Sequence, residues 1–205
     1  MKYNLDLSCL LIQDYKKILK NQNLLPSRRV ILQDIDDTFT LFENLGISDV
    51  AGLKKALSTP VKLQSFAANS GLSENYLTIL KREIGSFEQK PVPIANFPDL
   101  DSLLISSLND AGIKTSKDYF ESGLNEWEEL FCLCDLVRIN GVGAVAAKVF
   151  YEAGYQSVSD VAHADAAAML DEVSNINKAK QYYKANLGTK DMQFCIDFAK
   201  LLISY

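Results

Sequence analysis

A helix that stops at a glycine and is followed by a new helix occurs three times in this chain. The turns begin at Gly46, Gly112 and Gly154, and in each an apolar residue and a Ser/Thr-type helix start follow the glycine. Glycine adopts a positive φ at little cost, which is why it commonly ends helices. Because the intervals between the copies are unequal, 66 and 42 residues, the pattern predicts an internal repeat but not a regular solenoid.

A more distinctive motif, the segment Leu136–Phe150, leads into the third copy. Ile139 precedes the turn Gly141-Val142-Gly143, after which apolar residues continue at helical spacing. This pattern is typical of a helix-hairpin-helix, in which two short helices are joined by a tight turn. The free backbone N–H groups at the start of the second helix form a potential site for a phosphate or a carboxylate.

A proline-rich segment predicts the boundary between two domains. Prolines at positions 91, 93 and 98 exclude a continuous helix there. We therefore expect an N-terminal domain at 1–90 and a C-terminal domain at 91–205. No stretch shows sustained apolar and polar alternation, so we predict an all-α protein with tandem helix-hairpin-helix-like units in two helical domains.

The C-terminal domain is expected to contain two of these units. The unit at 135–175 has the glycine turn, whereas the unit at 94–122 has Phe97-Pro98-Asp99-Leu100-Asp101 in its place. Its glycines are missing, and two acids stand where an anion would bind. We interpret this unit as a degenerate hairpin that keeps only the fold.

The N-terminal domain is predicted to be helical throughout. Apolar spacing predicts a helix from about Asp6 to Asn21 and a second helical pattern from Ile31 to Leu45. The segment 60–84 fits the apolar template of a helix-turn-helix, and its second helix carries Lys81 and Arg82. Two helices around a glycine turn are common in all-α proteins, so the segment alone does not indicate DNA binding.

The charge distribution argues against a dedicated nucleic-acid binder. The formal net charge is −5, although residues 54–90 have six cations against three acids. Residues 99–138 have nine acids against three cations. A non-specific nucleic-acid binder is usually basic, so only a local contact remains plausible.

Two interpretations of the glycine turn remain open. In the first, the backbone of Gly141, Val142 and Gly143 contacts a nucleic-acid phosphate with help from Arg138 and Lys148, and Lys81 and Arg82 add charge. In the second, which we favour, the turn is a packing element or contacts another protein. The positions after the turn are Ala144, Val145 and Ala146, which offer neither a side-chain donor nor a charge.

No catalytic, metal or cofactor site is predicted. The four cysteines and the single histidine, His163, do not form a zinc ligand set, and Cys132 and Cys134 are too close for a relaxed disulfide. The sequence has no P-loop, nucleophile elbow or dinucleotide fingerprint. With no membrane or export segment, we expect a cytoplasmic protein with free thiols and no small-molecule substrate.

Six segments resemble one known family. They are Leu24–Arg28, Gly71–Ile84, Lys90–Pro93, Asp135–Gly143, Ala153–Tyr155 and Leu187–Asp191. They are similar, in order and over nearly the whole chain, to bacterial proteins built on a domain of unknown function related to the helix-hairpin-helix superfamily. The resemblance implies an all-α fold with tandem units and supplies no activity.

Taken together, these patterns predict a non-enzymatic binding or adaptor protein. The hairpins are expected to serve the structure or to contact an unidentified protein partner. The alternative is nucleic-acid binding through the Gly141–Gly143 hairpin and the basic region 54–90. Neither interpretation involves a membrane.

Overall fold

The computed structural model describes residues 2–22, 24–124 and 126–205, where the regular secondary structure is helical. Within these ranges there is no β-strand, only two isolated bridges between short segments. The prediction of an all-α protein is therefore confirmed. Among the described helices, none has both the length and the apolar character needed to cross a membrane.

The chain divides into two compact units. We call Asp6–Glu88, with the final residue Tyr205, the N-terminal unit. We call Gln89–Ser204, together with the segment up to Leu5, the C-terminal unit. The division falls between Glu88 and Gln89, and the first residues of the chain fold with the second unit.

The N-terminal unit contains five α-helices and one 3-10 helix among its described residues. The 3-10 helix is Pro26–Leu32. The α-helices are α1 (Ile12–Asn21), α2 (Ile35–Asn44), α3 (Val50–Ala56), α4 (Pro60–Ser70) and α5 (Glu74–Gly85).

Two helices of this unit begin later than the apolar spacing predicts. The helix expected from Asp6 begins at Ile12, because the backbone before it pairs elsewhere: the Ile12 N–H donates to the Ser48 carbonyl at 3.0 Å. The second helical pattern is also interrupted, since Asp34 adopts a left-handed φ of 47° before α2. Apolar spacing reports which side of a segment is buried, not how its backbone is bonded.

The core of the N-terminal unit is aromatic and contains one ion pair. The ring of Tyr15 lies 5.9 Å from Phe39 and 5.6 Å from Phe87, centroid to centroid. Beside this cluster, Glu83 is 2% exposed, and its Oε2 lies 2.5 Å from Arg28 Nη1. This pair links the 3-10 helix to α5.

The C-terminal unit contains seven α-helices among its described residues, preceded by the 3-10 helix Ile94–Asn96. They are α6 (Ser102–Asp110), α7 (Ser116–Ser122), α8 (Glu128–Leu136), α9 (Ala144–Glu152), α10 (Val158–Ala162), α11 (Ala166–Lys180) and α12 (Thr189–Ser204). Helix α12 packs on α10 and α11, and α8 packs on α7 and α9. Fully buried residues such as Leu133, Val149 and Met169 form its core.

The three repeated turns have the same geometry. Gly46, Gly112 and Gly154 have φ values of 80°, 81° and 97°. The N–H of the next residue donates to a carbonyl five positions earlier, in the pairs Ile47 to Phe42, Ile113 to Leu108 and Tyr155 to Phe150. The residue three positions after each glycine caps the next helix with its side chain; these caps are Asp49, Thr115 and Ser157. The chain therefore contains one supersecondary unit in three copies.

We expect Gly46→Ala to lower the free energy of unfolding of the N-terminal unit by about 1 kcal/mol, because alanine is strained at positive φ. An added Cβ would meet nothing within 4 Å, so the loss would be conformational rather than steric. Gly85→Ala is the matched control. A Cβ added at Gly85 would also meet nothing within 4 Å, but Gly85 lies in α5 and does not have a positive φ. It should leave stability unchanged or raise it. Urea titrations of both variants test this, and equal losses would contradict it.

Arg28→Met should destabilise the N-terminal unit by about 3 kcal/mol, because it leaves the buried carboxylate of Glu83 without its partner. The double variant Arg28→Met/Glu83→Leu should recover most of this loss, since no buried charge remains. Urea unfolding of the two single variants and the double variant measures the coupling. If the two single losses simply add in the double variant, the pair does not stabilise this core.

Candidate functional site

The Gly141–Gly143 turn is a tight connection between α8 and α9. Gly141 has φ 86°, and the Val142 N–H donates to the Ile139 carbonyl at 3.0 Å. Ile139 and Val142 are buried, whereas both glycines are exposed. Gly143 is the N-cap of α9 and has no side chain with which to satisfy the first amides of the helix.

Residues 97–101, which we align with residues 139–143 on sequence, have a similar backbone at the aligned positions. Asp99 adopts a left-handed φ of 60°, as Gly141 does in the other unit. Asp101, aligned with Gly143, is the N-cap of α6 and accepts a hydrogen bond from the Leu103 N–H with its carboxylate. The carboxylate of Asp101 therefore caps α6, whereas Gly143 leaves the first amides of α9 without a side-chain cap.

Lys148, to which the nucleic-acid interpretation assigns a phosphate contact, is enclosed by carboxylates. It is 7% exposed, and its Nζ lies 2.5 Å from Glu129, 3.7 Å from Glu152 and 3.9 Å from Asp99. Burial alone would lower the pKa of Lys148, but the hydrogen bond and charge of Glu129, with Glu152 and Asp99, hold that pKa above its ordinary value. The charge of Lys148 is therefore balanced by carboxylates of the same unit.

Arg138, the second cation near the turn, also makes internal contacts. Its guanidinium pairs with Asp135, lies 4.4 Å from the centroid of the Phe120 ring, and donates from Nε to the Tyr3 carbonyl at 2.8 Å. The other oxygen of Asp135 accepts a hydrogen bond from the Val158 N–H at 2.8 Å. Arg138 and Asp135 thus connect α8, α10 and the start of the chain.

The role of Tyr3 was not predicted from the sequence. Tyr3 is fully buried, its hydroxyl lies 2.7 Å from Ser116 Oγ, and its N–H donates to Glu121 at 3.0 Å. The only signal was alternation: Tyr3, Leu5 and Leu7 are all buried, at a spacing of two residues. This run is too short to indicate an extended segment on its own.

Lys81 and Arg82 belong to the N-terminal unit, whereas the glycine turn belongs to the C-terminal unit. Lys81 Nζ donates to the Ser58 carbonyl at 2.8 Å, and Arg82 is exposed. In the same basic region, Lys54 lies 2.5 Å from Glu88. Part of the predicted basic region is therefore already paired.

The surface beside the turn is apolar. A Cβ built on Gly141 would lie 3.8 Å from the Phe194 ring of α12. Phe194 is 39% exposed, and Val145, in the first turn of α9, is 38% exposed. We call Val145 and Phe194 together the hairpin face.

The four cysteines are unpaired, and two of them are buried. Cys9 is exposed, whereas Cys134 and Cys195 are buried. Burial raises the pKa of the Cys195 thiol to about 12 and also raises that of Cys134, which keeps both thiols protonated. Across residues 2–22, 24–124 and 126–205, no group of three His, Cys, Asp or Glu side chains is arranged to hold a metal ion.

Comparison with known proteins gives a family without an activity. The family model described as "Domain of unknown function (DUF4332)" matches residues 82–202, which include the glycine turn and α6 to α12 up to Leu202. The match begins at residue 82, so it leaves out Leu24–Arg28 and most of Gly71–Ile84. No curated protein and no solved structure matches the chain. Because the match covers more than half of the sequence, the chain belongs to the DUF4332 family, a family built on a domain of unknown function.

Proposed function

We propose that this protein is a non-enzymatic adaptor that binds another protein and that its glycine turns mainly serve the fold. The observation that carries this proposal is that both cations beside the turn already pair with other groups of the same unit. Lys148 pairs with Glu129, and Arg138 pairs with Asp135 and the Tyr3 carbonyl. A phosphate at the turn would have to compete with these partners. Four unpaired thiols support a reducing location such as the cytoplasm.

We also propose that residues 135–175 form a helix-hairpin-helix unit and residues 94–122 its degenerate relative. The left-handed backbone at both Gly141 and Asp99 supports this relationship. So do the N-caps that follow two residues later, Gly143 and Asp101. In both units the second helix ends at a glycine turn of the same geometry.

The hairpin face supports contact with a protein rather than a phosphate backbone. Val145 and Phe194 expose apolar surface beside Gly141, where a nucleic-acid-binding hairpin would present polar or basic groups. Aromatic residues are enriched in protein interfaces, whereas nucleic-acid contacts are dominated by cations. This face thus has the chemistry of a small protein contact.

Nucleic-acid binding is the alternative, and two observations favour it. The first amides of α9 have no side-chain cap, and Arg82 is exposed in the basic region. Binding by this route would depend on a few charges and would weaken steeply with salt.

We expect the full chain to bind neither single-stranded nor double-stranded DNA or RNA more tightly than about 0.1 mM at low salt. The measurement is a fluorescence anisotropy titration of labelled oligonucleotides. In parallel, immobilised protein should retain a specific partner after nuclease treatment of an extract. Capture that is abolished by nuclease, together with salt-sensitive oligonucleotide binding, would replace the adaptor proposal with the nucleic-acid alternative.

Phe194→Ser should weaken capture of that partner about tenfold, because a half-exposed aromatic residue at an interface commonly contributes 1 to 2 kcal/mol, on the order of tenfold in affinity. Ile203→Ser is the matched control, since Ile203 lies on the same helix and is 50% exposed. Binding of the purified partner to the two variants is compared by surface plasmon resonance. If the control loses as much affinity as Phe194→Ser, the hairpin face is not the contact.

A further inference from the structure

An acid-free, lysine-bearing segment stands out in this acidic chain. Residues 174–190 contain four lysines and no aspartate or glutamate, although the whole chain has a net charge of −5. The segment spans the end of α11, the connection 181–188 and the start of α12. We call its four cations the lysine segment; they are Lys178, Lys180, Lys184 and Lys190.

The lysine segment is exposed and mostly unneutralised. All four side chains are exposed, and Lys180 lies 4.0 Å from Glu152. In the part of the chain that the structure describes, the other three ammonium groups pair with no carboxylate. This contrasts with Lys148, which the same unit surrounds with acids.

Helix stability does not account for the whole segment. Lys178 and Lys180 lie in the last turn of α11, where a cation interacts favourably with the helix dipole. Lys190 lies in the first turn of α12, where the same interaction is unfavourable. Lys190 therefore does not stabilise α12 through the helix dipole, which is consistent with a role in binding rather than in folding.

The connection that carries Lys184 is fixed in place. Asn177 Nδ2 donates to the Tyr183 carbonyl and Asn177 Oδ1 accepts from the Tyr183 N–H, both at 3.0 Å. The Tyr182 hydroxyl donates to Glu152 at 2.7 Å, and the Gly188 N–H donates to Asp191 at 2.8 Å. A pre-ordered segment loses less conformational entropy when it binds a partner.

One residue of the lysine segment, Lys190, lies on the same helix as Phe194 of the hairpin face. Lys190 and Phe194 are four residues apart on α12, so their side chains lie on the same side of the helix. Phe194 in turn lies beside the glycine turn, since a Cβ added to Gly141 would be 3.8 Å from its ring. An exposed aromatic residue therefore lies one helical turn from Lys190, a cation that pairs with no carboxylate among the described residues.

We propose that the lysine segment and Phe194 together dock an acidic polypeptide segment that carries an apolar residue. The apolar residue would pack on Phe194, and carboxylates on either side would pair with Lys178, Lys184 and Lys190. This inference rests on the proposed adaptor function and names the chemistry of its partner.

A polypeptide fits this surface better than a nucleic-acid strand. Glu152 lies beside Lys180 and Tyr182, and a strand with a charge at every phosphate cannot avoid such carboxylates. A polypeptide can place neutral residues there. The half-buried rings of Tyr182 and Tyr183 also leave limited surface for base stacking.

The test uses the full chain and a fluorescent peptide with glutamates on both sides of a central phenylalanine. The variant Lys178→Gln/Lys184→Gln/Lys190→Gln should bind this peptide about tenfold more weakly, since each exposed ion pair contributes up to a few-fold. The control Lys62→Gln/Lys114→Gln/Lys200→Gln removes the same charge from exposed lysines elsewhere and should bind as the unmodified protein does. Binding of the peptide to the unmodified protein should weaken as salt increases.

Three results would overturn the inference. They are no binding of the peptide to the unmodified protein, an equal loss in both triple variants, or tighter binding of a single-stranded oligonucleotide of the same net charge. A nuclease-resistant partner that binds the lysine variant normally would also overturn it while leaving the adaptor function intact. The adaptor function fails separately, if no partner survives nuclease treatment.

Discussion

A backbone that turns through positive φ at a glycine and enters a new helix three residues later sets the geometry of both units. Gly46, Gly112 and Gly154 adopt this conformation, which is sterically unfavourable for other residues. The turn satisfies carbonyls at the end of one helix, and the capping side chain satisfies amides at the start of the next. Two helix ends are thus satisfied within a few residues, so short helices such as α10 can form.

The three copies differ in what the second helix binds at its first amide. In the first two, Val50 and Ser116 donate to the backbone carbonyls of Leu10 and Val92, which belong to short segments alongside. In the third, the Val158 N–H donates to the carboxylate of Asp135. A negative charge at a helix N-terminus is favourable, and Arg138 balances it. The copy that follows the glycine hairpin therefore depends on a charged pair, and Arg138 of that pair helps to hold the fold.

Local features were predictable from the sequence, whereas distant contacts were not. The glycine stops and their caps act within a few residues, so Gly112 and Thr115 can be recognised from spacing alone. The start of α1 cannot be recognised in this way, because it depends on a backbone hydrogen bond from Ile12 to Ser48. Two of the three carboxylates around Lys148, Glu129 and Asp99, lie 19 and 49 positions away, and no local pattern connects them to it. Residues 2–5 likewise join the second unit through contacts with residues more than 80 positions away.

The Lys148 cluster shows why a recognisable turn does not imply an anion site. An anion at a helix N-terminus is stabilised by free amides and by nearby cations that are not otherwise engaged. Here the amides are present, but the nearest lysine is buried among Glu129, Glu152 and Asp99, whose negative charge would repel a phosphate. Lys178, Lys184 and Lys190, which pair with no carboxylate in the described part of the chain, lie instead at the connection between α11 and α12. Within the C-terminal unit, the connection between α11 and α12 therefore suits an anionic partner better than the glycine turn does.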